Sequence, residues 1–197
     1  MMTSTSEGDP TTARHDQRLD GRVAIRTLDI ADASELAAMN ARNRADIERV
    51  SPPQPADTYT EAGQVARITS IMREAAQGLR LNWTIRVDGA LAGDISLHAI
   101  HRGAMQTAGV GYMVDAAFRG RGVATAAVRL VIAHAFGELR LHRLDAGAMP
   151  SNLPSQRVLE NAGFTRVGVM RSFLFIADRW EDHVLYELVG PDFVPPI

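Results

Sequence analysis

Cysteine is absent from the 197 residues. Its absence excludes disulfides, thiolate metal ligands and a cysteine nucleophile, and it fits a cytoplasmic protein. No apolar run approaches the ~18 residues of a membrane-spanning helix, so no membrane partner is expected. The first twenty residues are polar, carry Gly8 and Pro10, and lack the apolar stretch of a secretory signal. They read as a flexible N-terminal tail over residues 1–20, ahead of a single domain over 21–197. No charge sign dominates: 21 basic and 23 acidic residues leave a net charge of −2. No broad positive field or basic block is therefore present to recruit nucleic acid. The six histidines show no ligand spacing, so no metal is expected. No repeat of solenoid period is visible.

What remains is an ordinary globular composition, 46% hydrophobic and 22% charged, long enough for one well-cored domain. Alternation of Val23, Ile25 and Thr27 predicts a first strand. Asp29 or Asp32 can cap a helix that places Leu36, Met39 and Asn43 on one face. Ser51-Pro52-Pro53-Gln54-Pro55 must be loop. Thr58-Tyr59-Thr60-Glu61 resembles a capping box opening a helix to about Gln77. Strands are predicted over Leu79–Val87 and Leu91–Ile100, joined by an Asp88-Gly89 hairpin turn, and over Ala108–Val114. A helix over Arg121–Phe136 puts Val123, Ala127, Leu130, Val131 and His134 on one face, and Arg143–Ala148 is a short strand. A further helix runs from Ser151-Asn152-Leu153-Pro154-Ser155 to Asn161. Strands over Phe164–Ser172 and His183–Val189 close the chain. The expected fold is a mixed α/β sheet with helices on its faces and a parallel crossover between the strands at Val114 and Leu144.

One segment carries chemistry. Tyr112-Met113-Val114 ends a strand, and Arg119-Gly120-Arg121-Gly122-Val123-Ala124-Thr125 turns into a helix. The turn aims unpaired N–H groups and the positive end of a helix dipole at one spot, which suits phosphate. The pattern lacks the third glycine of a dinucleotide fingerprint and the Gly-Lys-Ser/Thr of a P-loop. A merely tight strand-to-helix turn remains the alternative.

Arg119-Gly120-Arg121-Gly122-Val123-Ala124 resembles the Gln/Arg-x-x-Gly-x-Gly/Ala signature of the GNAT superfamily of N-acetyltransferases. Asn152-Leu153-Pro154-Ser155, Val158 to Phe164, and Trp180-Glu181-Asp182-His183-Val184-Leu185-Tyr186 resemble its RimJ/RimL branch, the ribosomal-protein alanine N-acetyltransferases and their relatives. The resemblance covers roughly Val23 to Val189. It implies a mostly antiparallel sheet of six to seven strands, about four helices, and a splayed parallel pair at the centre. It also implies acetyl-CoA as co-substrate and an amine acceptor, either a protein N-terminus or a small molecule. The protein is expected to be a monomer or homodimer.

By the same resemblance, the backbone N–H groups of Gly120, Arg121, Gly122, Val123, Ala124 and Thr125 hold the pyrophosphate. Arg119 and Arg121 side chains add charge or are simply solvated. Tyr112, Met113 and Val114 pair with the pantetheine arm, and the Val114 N–H faces the thioester carbonyl. Asn152 binds the pantetheine amides or caps its helix. Ser155 protonates the leaving thiolate or is an ordinary first-turn serine. Where relatives often carry a carboxylate, this chain has Gly109 and Phe173-Leu174. Asp46, Glu48 and Asp178, or a water relay, are the remaining routes for the amine's proton. His98 and His101 bracket a strand end, and Tyr59 and Trp180 line a cleft or pack. The leading expectation is acetylation of a protein α-amine. An acidic cluster of Asp46, Glu48, Asp57 and Glu61 is the mark of the small-amine alternative, an antibiotic or polyamine acceptor. A non-catalytic acyl-CoA-binding module is the third.

Overall fold

The computed structural model describes residues 17–19 and 22–190; the rest of the expected tail lies outside this range. Its elements run β1 (Gln17–Leu19), β2 (Val23–Thr27), α1 (Ala33–Arg42), α2 (Arg44–Val50), α3 (Glu61–Ala76), β3 (Leu81–Val87), β4 (Ala90–His101) and β5 (Thr107–Val114). Then follow α4 (Val123–Gly137), β6 (Arg143–Ala148), α5 (Leu153–Asn161), β7 (Thr165–Ile176) and β8 (Arg179–Val189). One sheet takes all the strands in the order β1-β2-β3-β4-β5-β6-β8-β7. Every pairing is antiparallel except β5 with β6. The expected mixed sheet with a central parallel pair is the fold observed. The three-residue β1 and the separate α2 extend the expected element count.

Local chemistry sets the boundaries. Asp29 accepts the Ala31 N–H at 2.9 Å ahead of α1, and Thr60 caps α3 by accepting the Gly63 N–H at 3.1 Å. Asp88 and Gly89 both sit at positive φ between β3 and β4, the backbone of a tight hairpin turn. The apolar stripe of α4, with Ala127, Val128 and Val131 fully buried, packs on one sheet face against Ile85, Leu97 and Leu144. Leu36 and Met39 of α1 and Ile68 and Ile71 of α3 cover the other face near Leu91. Deleting one such side chain to alanine removes about 2–5 kcal/mol, so these two layers fix the sheet that carries the site.

Two elements exceed the sequence reading. The helix α2 buries Ile47 alone, too weak a stripe to announce itself by period. The β7–β8 hairpin runs on to Ile176 and Arg179, turning through Ala177 and Asp178 at positive φ. Most of β7 is exposed, so it shows no clean alternation. Its register shifts between Met170 and Leu174.

Candidate active site

The centre of the sheet is an unfinished ladder. β5 and β6 pair at Thr107/Arg143, Ala108/Leu144 and Gly109/Asp145 and then part, although β5 continues to Val114 and β6 to Ala148. Each keeps its outer neighbour: Gly93 on β4 still faces Val114, and Val184 on β8 faces Ala148. The Asp115 N–H donates to the Ala92 carbonyl at 2.9 Å. Antiparallel alternation from that bond turns the backbone groups of Val114, Tyr112 and Val110 away from β4, into the gap. A cleft of about 640 Å³ fills this gap.

One wall of the cleft is the turn after β5. Gly120 and Gly122 lie at φ 72° and 79°, left-handed backbone that suits glycine. A side chain at either would meet nothing within 4 Å, so the space in front of the turn is open. No side chain caps α4; the N–H groups of its first turn have no intrahelical acceptor. Gly120, Gly122, Val123, Ala124 and Thr125 all line the cleft. Arg121 is exposed and is not among the lining residues.

Arg119 lines the cleft and is anchored within the protein. Its Nε–H donates to the Val114 carbonyl at 2.9 Å, and its guanidinium pairs with Asp46 on α2. It ties the turn to α2. Asp115, 2% exposed, makes a similar tie one residue past β5. Its carboxylate accepts from Arg42 Nε at 2.8 Å, from Asn43 Nδ2 at 3.1 Å and from the Ala117 N–H at 3.2 Å. Asn43 Oδ1 in turn accepts the Ala116 N–H at 2.9 Å. Burial alone would raise the Asp115 carboxyl. The hydrogen bonds from Arg42, Asn43 and Ala117 overcome it and hold the group below its ordinary range. Sequence reading placed Asn43 on a buried face without finding this brace, because its members are about 70 residues apart.

The second wall is the start of α5. Asn152 Oδ1 accepts the Ser155 N–H at 3.2 Å, so the capping role is realised, while both residues line the cleft. The Tyr112 hydroxyl lies 2.8 Å from Ser155 Oγ and 3.2 Å from the Ser155 carbonyl. Burial pushes the Tyr112 phenol up to about 12, against the opposing hydrogen bond from Ser155. Met113 and Val114 complete the β5 side of the cleft.

The residues considered for the amine's proton are scattered. Asp46 lines the cleft, but hydrogen bonds from Arg119 and Arg49 hold its carboxyl below the ordinary range. Glu48 pairs with Arg44, and Asp178 sits in the β7–β8 turn; neither lines the cleft. The His98 ring lies against the face of Gly109 and Gly111, with burial lowering its pKa. Neither it nor His101 is a lining residue. Tyr59 packs under the Arg44 guanidinium, and Trp180 stacks edge-on with Phe175, so both pack and do not line the cleft. Asp57 and Glu61 stand outside it as well. The charged lining residues are Asp46, Arg49, Arg119 and Arg157. Among the residues without an assigned role that reach the cleft are Met149 and His183 of β8. Alternation along β8 could have put His183 on the same face as Leu185.

Comparison with known proteins agrees with this geometry. The chain is 42% identical to the Bacillus subtilis protein named Probable N-acetyltransferase YjcK, over 86% of this chain and 95% of the relative. It is 27% identical to the Escherichia coli [ribosomal protein uS5]-alanine N-acetyltransferase, over 88% and 91%. The solved structure of Mycobacterium smegmatis RimJ in complex with CoA-disulfide superimposes with a TM-score of 0.82 at 28% identity, covering 85% of this chain and 81% of that one. A family model described as Acetyltransferase (GNAT) domain matches residues 22–165. The chain belongs to this family and is an N-acetyltransferase related to the ribosomal-protein acetyltransferases.

Proposed function

We propose that the protein moves the acetyl group of acetyl-CoA to a protein N-terminal α-amine, of the kind presented by ribosomal proteins. The observation that carries this reading is the parting of β5 from β6 beyond Gly109. A pantetheine arm enters that gap as an added strand, taking the backbone groups that Val110 and Tyr112 turn toward it. The pyrophosphate then meets the uncapped start of α4 at Gly120–Thr125. The Val114 N–H stabilises negative charge growing on the thioester oxygen. Asn152 keeps its amide N–H groups for the pantetheine while Oδ1 caps α5. Ser155 Oγ–H supplies a proton to the departing sulfur.

The acceptor follows from the protonation cost. At pH 7 an α-amine of pKa near ~7.8 is about one-seventh neutral, whereas a lysine near ~10.4 is neutral in about four of ten thousand molecules. The difference is about 3.5 kcal/mol. The cleft's own carboxylate, Asp46, is held in ion pairs, so it offers little help in stripping a proton from lysine. Three arginines against one aspartate among the lining residues also speak against a polycationic acceptor. The uS5-alanine enzyme among the relatives supports the same class.

The test is a release assay for free CoA with acetyl-CoA and matched acceptors. Peptides beginning with alanine or serine should turn over at least tenfold faster than N-blocked peptides with one lysine, or than polyamines. Faster acetylation of lysine or of polyamines would overturn the reading. The chain contains no lysine, so its own side chains add no ε-amine background.

A further inference from the structure

The structure assigns the amine's proton to His183: we infer that its Nε2 is the general base of the acetyl transfer. The inference rests on the acetyl-transfer reading of the cleft and fills the position that the carboxylates leave empty.

His183 is 4% exposed, yet it lines the cleft. Its Nδ1 lies 3.3 Å from the Glu181 carbonyl oxygen. A carbonyl only accepts, so Nδ1 carries the hydrogen and Nε2 keeps its lone pair. Nε2 has no hydrogen-bond partner among the described residues. The ring is fixed on its other side by Phe173, edge-on at 5.4 Å between centroids. It stands beside Gly147 of β6, where a side chain would touch His183 at 3.6 Å. Gly147 itself lines the gap. A buried imidazole with a set tautomer, held by a carbonyl and a ring, thus borders the place where β6 leaves β5.

No neighbouring group competes for the proton. From α2, Asp46 is tied to Arg119 and Arg49; Arg49 and, on α5, Arg157 are permanent cations. Tyr112 of β5 is a phenol pushed far above neutrality. On β8 itself, Glu181 pairs with Arg179, and Asp182 accepts the Ser172 N–H. Against the ring, β7 presents Met170 and Phe173, and β6 presents Gly147; none of these titrates.

The step balances without a further reactant. The amine lone pair forms the N–C bond, and its surplus proton passes to Nε2. The C–S bond breaks with its electron pair on sulfur. Ser155 Oγ–H protonates the sulfur, and the proton on His183 returns to Ser155 through water. One proton has moved from nitrogen to sulfur.

His183→Gln and His183→Ala test this with the fastest peptide acceptor of the panel. Acetyl-CoA binding, measured by calorimetry, should stay within threefold of the parent. At pH 7 kcat/KM should fall about 100-fold, the usual size of a general-base contribution. The deficit should shrink toward pH 9.5, where the peptide amine is already neutral, and added imidazole should restore part of the alanine variant's rate. A folded variant with kcat/KM within threefold of the parent overturns the assignment. So does an equal loss at both pH values without rescue, which marks a packing role. Should neither variant fold, 15N spectra of histidine-labelled parent protein decide: the Nδ1–H tautomer at His183 supports the base, and the Nε2–H tautomer overturns it. A parent enzyme that acetylates no amine refutes the function itself and is distinguishable from all of these.

Discussion

The turn that follows β5 lines the cleft, the β7–β8 hairpin reaches it through His183 alone, and the two are held in opposite ways. At the turn, Asp115, Asn43, Arg42, Arg119 and Asp46 form a continuous set of ion pairs and hydrogen bonds to α1 and α2. The hairpin has mostly cross-strand contacts, with Phe173, Phe175 and Trp180 substantially exposed and Trp180 at 62%. A co-substrate whose pyrophosphate must be met by fixed backbone dipoles needs a turn that does not move. A hairpin standing in solvent can change its surface without disturbing the sheet. On the proposed function, the contrast separates a fixed turn that meets the donor from a hairpin free to vary.

Four experiments probe that contrast. The largest effect is expected at the start of α5: Ser155→Ala should lower kcat about 100-fold while leaving KM for acetyl-CoA nearly unchanged, as steady-state kinetics would show. A comparable rise in that KM would make Ser155 a binding residue. Next, Asp115→Ala strips partners from Asn43 and the Ala117 N–H. It should cost about 2 kcal/mol in denaturant unfolding, a figure already reduced because Arg42 is half exposed. Its pH dependence has a definite sign. The folded carboxyl lies below its unfolded value, so the contribution is complete above about pH 4 and disappears as pH falls through the folded value. Asp115→Asn should lose that acid-side slope. Third, Gly122→Val forces a β-branched residue into left-handed backbone at the phosphate turn. It should weaken acetyl-CoA binding about tenfold by calorimetry, with a smaller change in peptide KM. Last, Phe175→Ala should cost about 1 kcal/mol or less, the worth of an exposed aromatic pair. Because Phe175 does not line the cleft, KM for both substrates should stay nearly unchanged; a large shift in donor KM would erase the distinction between the turn and the hairpin.

The turn after β5 and the start of α5 were legible in the sequence because their signals are local. Gly120 and Gly122 are two residues apart, and glycine tolerates the positive φ both adopt. Asn152 and Ser155 fall within one helical turn, so cap and cleft lining coincide. Val123, Ala127, Leu130, Val131 and His134 mark the buried face of α4 by period alone, and all five are buried. The brace was not legible, since Arg42 and Asn43 meet Asp115 only after the chain has laid down three strands between them. Arg119 carried the right charge for a phosphate, and only the fold shows that charge turned toward Asp46. His183 was quoted within a strand motif and given no task. Its value depends on the Glu181 carbonyl and on Gly147 of another strand, neither visible as a spacing. The exposed apolar residues of β7 hid the hairpin's length, because alternation reports burial and this strand has little.

The parted strands have a consequence for thermodynamics as well as chemistry. Between Gly109 and Val114 the sheet is a seam left unsewn, and on the proposed function the donor supplies the missing stitches. Occupancy and fold stability are therefore one linked equilibrium. At a free donor concentration a hundred times its dissociation constant, the native state gains about 2.7 kcal/mol. In a cell rich in the donor, the protein is at its most durable while it is loaded.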